Sequence, residues 1–115
     1  MPERLELSTV GDVSIVRFKD QKILDEANIQ QLGEELSELV IGGNHPKLLL
    51  NFENVEFLSS AALGKLISVK KKAAKSETDV KLCSIKHEIF EVFKITNLDR
   101  VFDISDTQDE ALAEF

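Results

Sequence analysis

Phe57-Leu58-Ser59-Ser60-Ala61-Ala62-Leu63-Gly64-Lys65-Leu66 is the stretch on which the reading of this chain turns. Upstream of it, Lys47-Leu48-Leu49-Leu50-Asn51-Phe52 is an apolar run of the kind a buried strand shows. Downstream, Leu63, Leu66 and Ile67 recur at i, i+3 and i+4, the period of a helix. Two adjacent serines stand between strand and helix, and either can serve as the helix N-cap. A hydroxyl there lies at the positive end of a helix dipole, beside backbone N–H groups with no intrahelical partner. A phosphate can be added at such a place without disrupting the fold.

On the N-terminal side, residues 4 to 9 alternate in polarity as a half-exposed strand does. Val10-Gly11-Asp12-Val13 has the composition of a tight turn, and Val13 to Lys19 is the return strand. Ile15, Val16 and Phe18 fall on both faces of that strand, which places it inside a sheet. Asp25 then caps a helix expected to reach about Ile41. Its apolar stripe is Ile29, Leu32, Leu36, Leu39 and Val40, and Gln30, Gln31, Glu34, Glu35 and Glu38 form its wet face. Gly42-Gly43 ends that helix, and Pro46 blocks its continuation.

Beyond the central turn, the second helix is expected to run to about Lys75, with Lys70, Lys71, Lys72 and Lys75 at a C-terminus where cations complement the dipole. Val80 to Ser84 alternates as a short strand. His87 opens a third helix with Ile89, Phe90, Val92 and Phe93 inside and Asn97 at its C-cap. Val101 to Ile104 reads as a last strand. Asp106 and Asp109 open a terminal helix whose Ala111, Leu112 and Phe115 dock on the body. The order is β-β-α-β-α-β-α-β-α with short loops, an α/β architecture whose parallel strands are joined by right-handed crossovers. The expectation is one domain over residues 1–115, mostly parallel, with an N-terminal antiparallel hairpin.

Composition narrows the function classes. The formal charge is −7, which matches a phosphate backbone poorly, so partners are expected to be proteins and no nucleic acid. Tryptophan and tyrosine are absent, which removes the usual stacking platforms for single strands. The single Cys83 forms no internal disulfide, as fits a reducing compartment. Met1-Pro2-Glu3-Arg4-Leu5 lacks the pattern of a secretion signal and no apolar run reaches a membrane span, so the expected location is cytoplasmic.

Chemistry of its own is not expected. His45 and His87 make no metal-ligand spacing with Cys83, so neither a metal site nor a cofactor is anticipated. A Ser60–His87–Asp hydrolase lacks an acid placed to orient the imidazole. Cys83 reads as a small core hydrophobe, since nothing nearby in sequence supplies a base. The chain is therefore read as a non-enzyme, and attention stays on the serines.

The central stretch resembles the signature of STAS domains, the fold of bacterial anti-sigma-factor antagonists. In that family a short strand runs into a Phe-hydrophobic-Asp-Ser-Ser-Gly-Leu-Gly-like turn that opens a helix, and here the residues are Phe57, Leu58, Ser59, Ser60, Ala61, Ala62, Leu63 and Gly64. Ser59 stands where the family has Asp, Ala61 where it has Ser or Thr, and Ala62 where it has the first Gly. The Asp25-x-x-Asn28 helix entry extends the likeness.

The resemblance implies a STAS-type fold with its βα units stacked in sequence like a superhelix. It also implies a partner-switching role in transcription. The unphosphorylated form would bind an anti-sigma factor that is itself a serine kinase using ATP, and a serine phosphatase would restore the form that the kinase inactivates. The phosphoacceptor falls on Ser60, with Ser59 the second choice, and the partner-binding residues are Phe57, Leu58, Ser59, Ser60, Ala61 and Leu63. One of Phe57 and Leu58 must face outward if the other caps the core, since strand residues alternate. The alternative is a STAS ligand-sensing or transporter-accessory module without a phosphoswitch, supported locally by the Lys70–Lys75 cluster.

Overall fold

The computed structural model describes residues 4–42 and 44–115. Its main sheet has five strands in the order Leu5–Val10, Val13–Phe18, Lys47–Asn51, Asp79–Cys83 and Asp103–Ser105. Strands β1 (Leu5–Val10) and β2 (Val13–Phe18) form the expected hairpin, paired antiparallel from Leu5↔Phe18 to Val10↔Val13. Gly11 turns the chain at φ +61°, a conformation that disfavours any side chain. Next to it, the Lys47 ammonium bonds Asp12 at 2.6 Å and holds that carboxyl below its ordinary range.

Strands β4 (Lys47–Asn51), β6 (Asp79–Cys83) and β7 (Asp103–Ser105) add to β2 one after another, all parallel. Crossovers between them carry α1 (Glu26–Ile41), α2 (Ser60–Lys75) and α3 (His87–Ile95), and α4 (Gln108–Ala113) closes the described chain. The sheet is α/β and mostly parallel, as the alternation requires.

The runs that looked apolar on both faces are covered on both faces. Leu48 and Leu50 of β4 join Val80 and Leu82 of β6 in a large core with Leu32 and Leu36 of α1 and Leu66 and Val69 of α2. Leu49 and Cys83 point the other way, into a small cluster with Val13, Ile15 and Ala111, against which Leu112 and Phe115 pack. Full burial of each leucine or isoleucine is worth about 1.5–3 kcal/mol, so the larger cluster carries most of the stabilisation. The start of α4 is tied down by Asn51, whose side-chain amide donates to Gln108 Oε1 at 2.9 Å.

Several boundaries depart from expectation. Leu98–Arg100 is a 3-10 turn, and the N–H groups of Val101 and Phe102 both donate to the Leu98 carbonyl, at 3.0 and 3.1 Å. Those donors are spent on the turn, so the last strand begins at Asp103 rather than Val101. Ser84 sits at φ +60° and ends β6 one residue early. Thr96, not Asn97, caps α3, and Asn97 follows in the left-handed conformation at φ 61°. Asp109 lies in the first turn of α4 as expected, but the helix begins at Gln108 and Thr107 caps it, its hydroxyl accepting from the Glu110 N–H at 3.2 Å, which leaves Asp106 ahead of the cap. Ile89 and Phe93 fill the buried face of α3, which leaves Val92 on its shoulder, 39% exposed instead of inside. Gly42 caps α1 as anticipated; Gly43 and Met1–Glu3, on which other expectations fell, lie outside the described residues.

One element had no sequence signal. Two residues of β3 (Lys22–Ile23) pair in parallel with two of β5 (Phe57–Leu58), as a separate two-stranded sheet. Each strand feeds a helix, β3 into α1 and β5 into α2. The N-termini of those two helices therefore emerge side by side.

Candidate functional site

The small sheet sets the backbone of the serine turn. The Gln21 carbonyl accepts from the N–H groups of Glu56 (2.8 Å) and Phe57 (3.1 Å), and the Ile23 carbonyl accepts from Ser59 (3.1 Å). Ser59 is then held extended, at φ −79° and ψ 164°, the backbone of an N-cap. Its Oγ accepts from the Ala62 N–H at 3.2 Å, and its carbonyl accepts the first helical bond, from Leu63 at 3.1 Å.

Two serines were interchangeable as caps in the sequence; in the structure Ser59 is the cap. Ser60 is the first helical residue, exposed, with no side-chain hydrogen bond among the described residues. Ala61 is also exposed, whereas Ala62 and Leu63 are buried. Gly64, one turn into α2, faces open space where a side chain would begin.

Phe57 and Leu58 divide as strand neighbours do. Leu58 packs against the large core, while Phe57 is 51% exposed, with the Lys22 ammonium 5.6 Å from its ring centroid. Beside Phe57 opens a groove of about 560 Å³. Phe57, Leu58 and Leu63 form one wall; Ile89 and Val92 of α3 form the other, with Glu56, Lys86 and Glu88 at the rim. Sequence reasoning missed the α3 wall. Its residues lie more than twenty positions from the serines, and only the tertiary packing of α3 joins them. The one signal was an apolar Val92 beyond what a nine-residue helix can bury.

Other candidates separate from this place. His87 is 80% exposed, its Nε2 3.6 Å from Glu91, and it lines a different hollow with Phe90 and Ile104. His45 Nδ1 lies 2.7 Å from Ser14 Oγ, so the serine it meets is not Ser60. Cys83 is fully buried, and burial pushes its thiol up. Among the described residues no three His, Cys, Asp or Glu side chains gather as metal ligands, and no helix is long and apolar enough to cross a membrane. In the lysine cluster, Lys72 donates to Ser37 Oγ at 3.0 Å across to α1, and Lys71 and Lys75 are exposed.

The family model described as STAS domain matches residues 4–111. BtrV of Bordetella bronchiseptica, to which an anti-sigma factor antagonist role has been ascribed, is 28% identical over 83% of this chain and 81% of its own. A solved anti-sigma-factor antagonist (STAS) domain protein from Planctomyces limnophilus superposes with a TM-score of 0.83 at 25% identity, covering 96% of each chain. TM1081 of Thermotoga maritima, given the same ascribed role, superposes at 0.82 with 26% identity, covering 97% of this chain and 94% of that one.

Proposed function

The chain belongs to the STAS domain family, and from that premise we propose that it is an anti-sigma-factor antagonist controlled by phosphorylation at Ser60. It binds an anti-sigma factor that is also a serine kinase, through Phe57, Leu58, Ser59, Ser60, Ala61 and Leu63, and so regulates transcription by protein–protein contact in the cytoplasm. A serine phosphatase reverses the modification. The chain contributes no catalysis and no cofactor; the nucleotide belongs to the kinase. The relatives with an ascribed or stated antagonist role support the binding half of this reading.

The observation that carries the switch is the division of labour between the serines. Ser59 does the capping, so the Ser60 hydroxyl is exposed and has no structural duty. A phosphate there adds about −1.5 to −2 charge, and the N-terminus of α2 offsets its local cost within the fold. That charge is added to an already acidic surface, of formal net charge −7 over the chain, in the middle of the residues that meet the partner, where it opposes docking. The fold persists and the complex is lost.

The test is mass spectrometry of the protein after incubation with the serine kinases of its source organism, ATP and Mg²⁺. Phosphate on Ser60 supports the assignment. Phosphate on Ser59 shifts the acceptor by one residue. Binding without phosphate on either serine removes the switch and leaves the interaction.

A further inference from the structure

The main sheet ends at β1 on an edge that none of the usual devices protects. Leu5-Glu6-Leu7-Ser8-Thr9-Val10 holds no proline and no lysine, and its one-to-one register with β2 admits no bulge. The opposite edge strand, β7, is only three residues long. Val10 and Val13 close a two-residue turn and so exchange hydrogen bonds, and at the far end of the hairpin the Lys19 N–H donates to the Arg4 carbonyl at 3.0 Å. By that alternation Glu6, Ser8 and Val10 bond β2, while the N–H and C=O groups of Leu5, Leu7 and Thr9 face away from it. Leu5 is buried, so the open run is Leu7 and Thr9, both exposed and with no hydrogen bond to their outward backbone groups among the described residues. We infer that this edge takes an extended segment of another protein, with a lysine or arginine opposite Leu7.

The unpaired row calls for a strand, and charge selects its side chain. Leu7 shares with the buried Leu5 the face of β1 that packs toward α1. Over it opens a hollow of about 210 Å³, walled by Leu7, Leu39, Glu35, Glu38 and His45. A residue directly opposite Leu7 on an added strand lies on the same face, beside this hollow. Glu35 Oε1 accepts from the Arg4 N–H at 3.0 Å, and its Oε2 is buried with no partner, an acceptor that the fold leaves without a donor. No lysine or arginine lines the hollow, and His45 is turned to Ser14. Nearby cations are matched at full charge, Arg4 by Asp20 and Lys47 by Asp12. Lys65 and Lys72 line the other flank of α1; counted in full against Glu34, Glu35 and Glu38, they still leave that helix negative. Complementarity therefore favours a cation on the incoming strand. A second copy paired across the same edge would bring its own Glu35 and Glu38 to the same face, like charge toward like, so the occupant is a different chain.

The experiment titrates the isotope-labelled full chain with synthetic peptides on the order of eight residues long, alternating threonine and valine around one central lysine or one central glutamate. At about 0.15 M salt, the lysine peptide is expected to bind with at least about a tenfold lower Kd than the glutamate peptide, and to shift and protect the amides of Leu7 and Thr9. The lysine peptide N-methylated at every residue has no donors for the edge and should not bind. Thr9→Pro removes an N–H that β2 does not use, so the fold should stand while binding is lost. Glu35→Gln with Glu38→Gln should erase the preference for lysine, glutamine keeping an oxygen for the Arg4 N–H. Glu56→Gln with Glu88→Gln, equal in charge and both exposed, should leave it.

The inference is overturned by no saturable binding of the lysine peptide, equal binding of the two peptides, binding that survives N-methylation, shifts centred on another face, or equal effects of the two glutamine pairs. Sedimentation of the free protein as a dimer, with the Leu7 and Thr9 amides protected from exchange, would give the edge to a second copy and overturn it as well. The N-methylated peptide tests the edge without any change to the protein, so a poorly folded Thr9→Pro would not shelter the idea. His45 precedes β4 and the serine turn follows that strand, so phosphate on Ser60, present or absent, leaves this surface to be judged by its own titration.

Discussion

The amide of Ser59 donates to the carbonyl of Ile23 at 3.1 Å, so the residue that caps α2 is held by the strand that feeds α1. The neighbouring Ser60 has no such tie. The two serines, alike in sequence, are therefore unlike in what they cost to remove.

Ser59→Ala loses the hydroxyl that accepts from Ala62 and should destabilise the protein by about 1 kcal/mol. Ser60→Ala should fall within about 0.5 kcal/mol of the parent, as surface substitutions do. Urea denaturation of both variants checks this, and a larger loss at Ser60 would move the cap to that residue.

Ser60→Asp sets a carboxylate at the first position of α2, where the dipole favours it. Its thermal midpoint should stay close to that of the parent, while affinity for the kinase partner falls at least about tenfold, or 1.4 kcal/mol. Calorimetric titration against the partner, with a melting curve of the same sample, measures both. Unchanged affinity, together with unchanged affinity of the stoichiometrically phosphorylated protein, would end the switch.

Gly64→Ala should stabilise. The glycine lies inside α2, and an added Cβ meets nothing within 4 Å. Alanine is therefore expected to add about 0.5–1 kcal/mol through helix propensity. If the bare surface of that turn serves close approach of the partner, the same variant binds more weakly while melting higher. A lower melting point would mean that the turn tolerates no methyl group.

Cys83 supplies a pH prediction. Burial outweighs the Ser84 hydrogen bond and the Arg17 charge, so the folded thiol ionises above its ordinary value of 9.0. A pKa raised on folding means that the folded state holds its proton longer than the unfolded chain does. Stability is thus whole below the unfolded thiol pKa and declines as pH rises through that value toward the folded one. Cys83→Ala should flatten this alkaline decline, measured as the urea midpoint between about pH 8 and 10. An identical slope in both proteins would refute the linkage.

Much of this molecule was legible because its strands and helices are written in period and punctuation. The all-apolar Leu48-Leu49-Leu50 belongs to a strand covered twice, and Asp25 and Gly42 bracket α1 where they were read. What escaped depends on distant residues. The β3–β5 pair is two residues long on each side, too short for any alternation to show. Val92 looked internal because its neighbours Ile89 and Phe93 are internal, and a short helix on a sheet edge buries only one narrow stripe. The serine turn was found from local pattern, but the wall opposite it comes from α3 and needed the fold.

The small cluster beneath α4 has a kinetic consequence. Ala111, Leu112 and Phe115 shield Ile15, Leu49 and Cys83 with a six-residue helix, whereas the opposite face is closed by three longer ones. Stability is not uniform when its anchors are so unequal, and the thinner cover should open by itself, at a fraction of the free energy of global unfolding. Amide exchange in α4 should then run far ahead of that in β4. The rate at which an alkylating reagent finds Cys83 becomes a gauge of how often this flap lifts, a clock set by one short helix rather than by the melting of the whole protein.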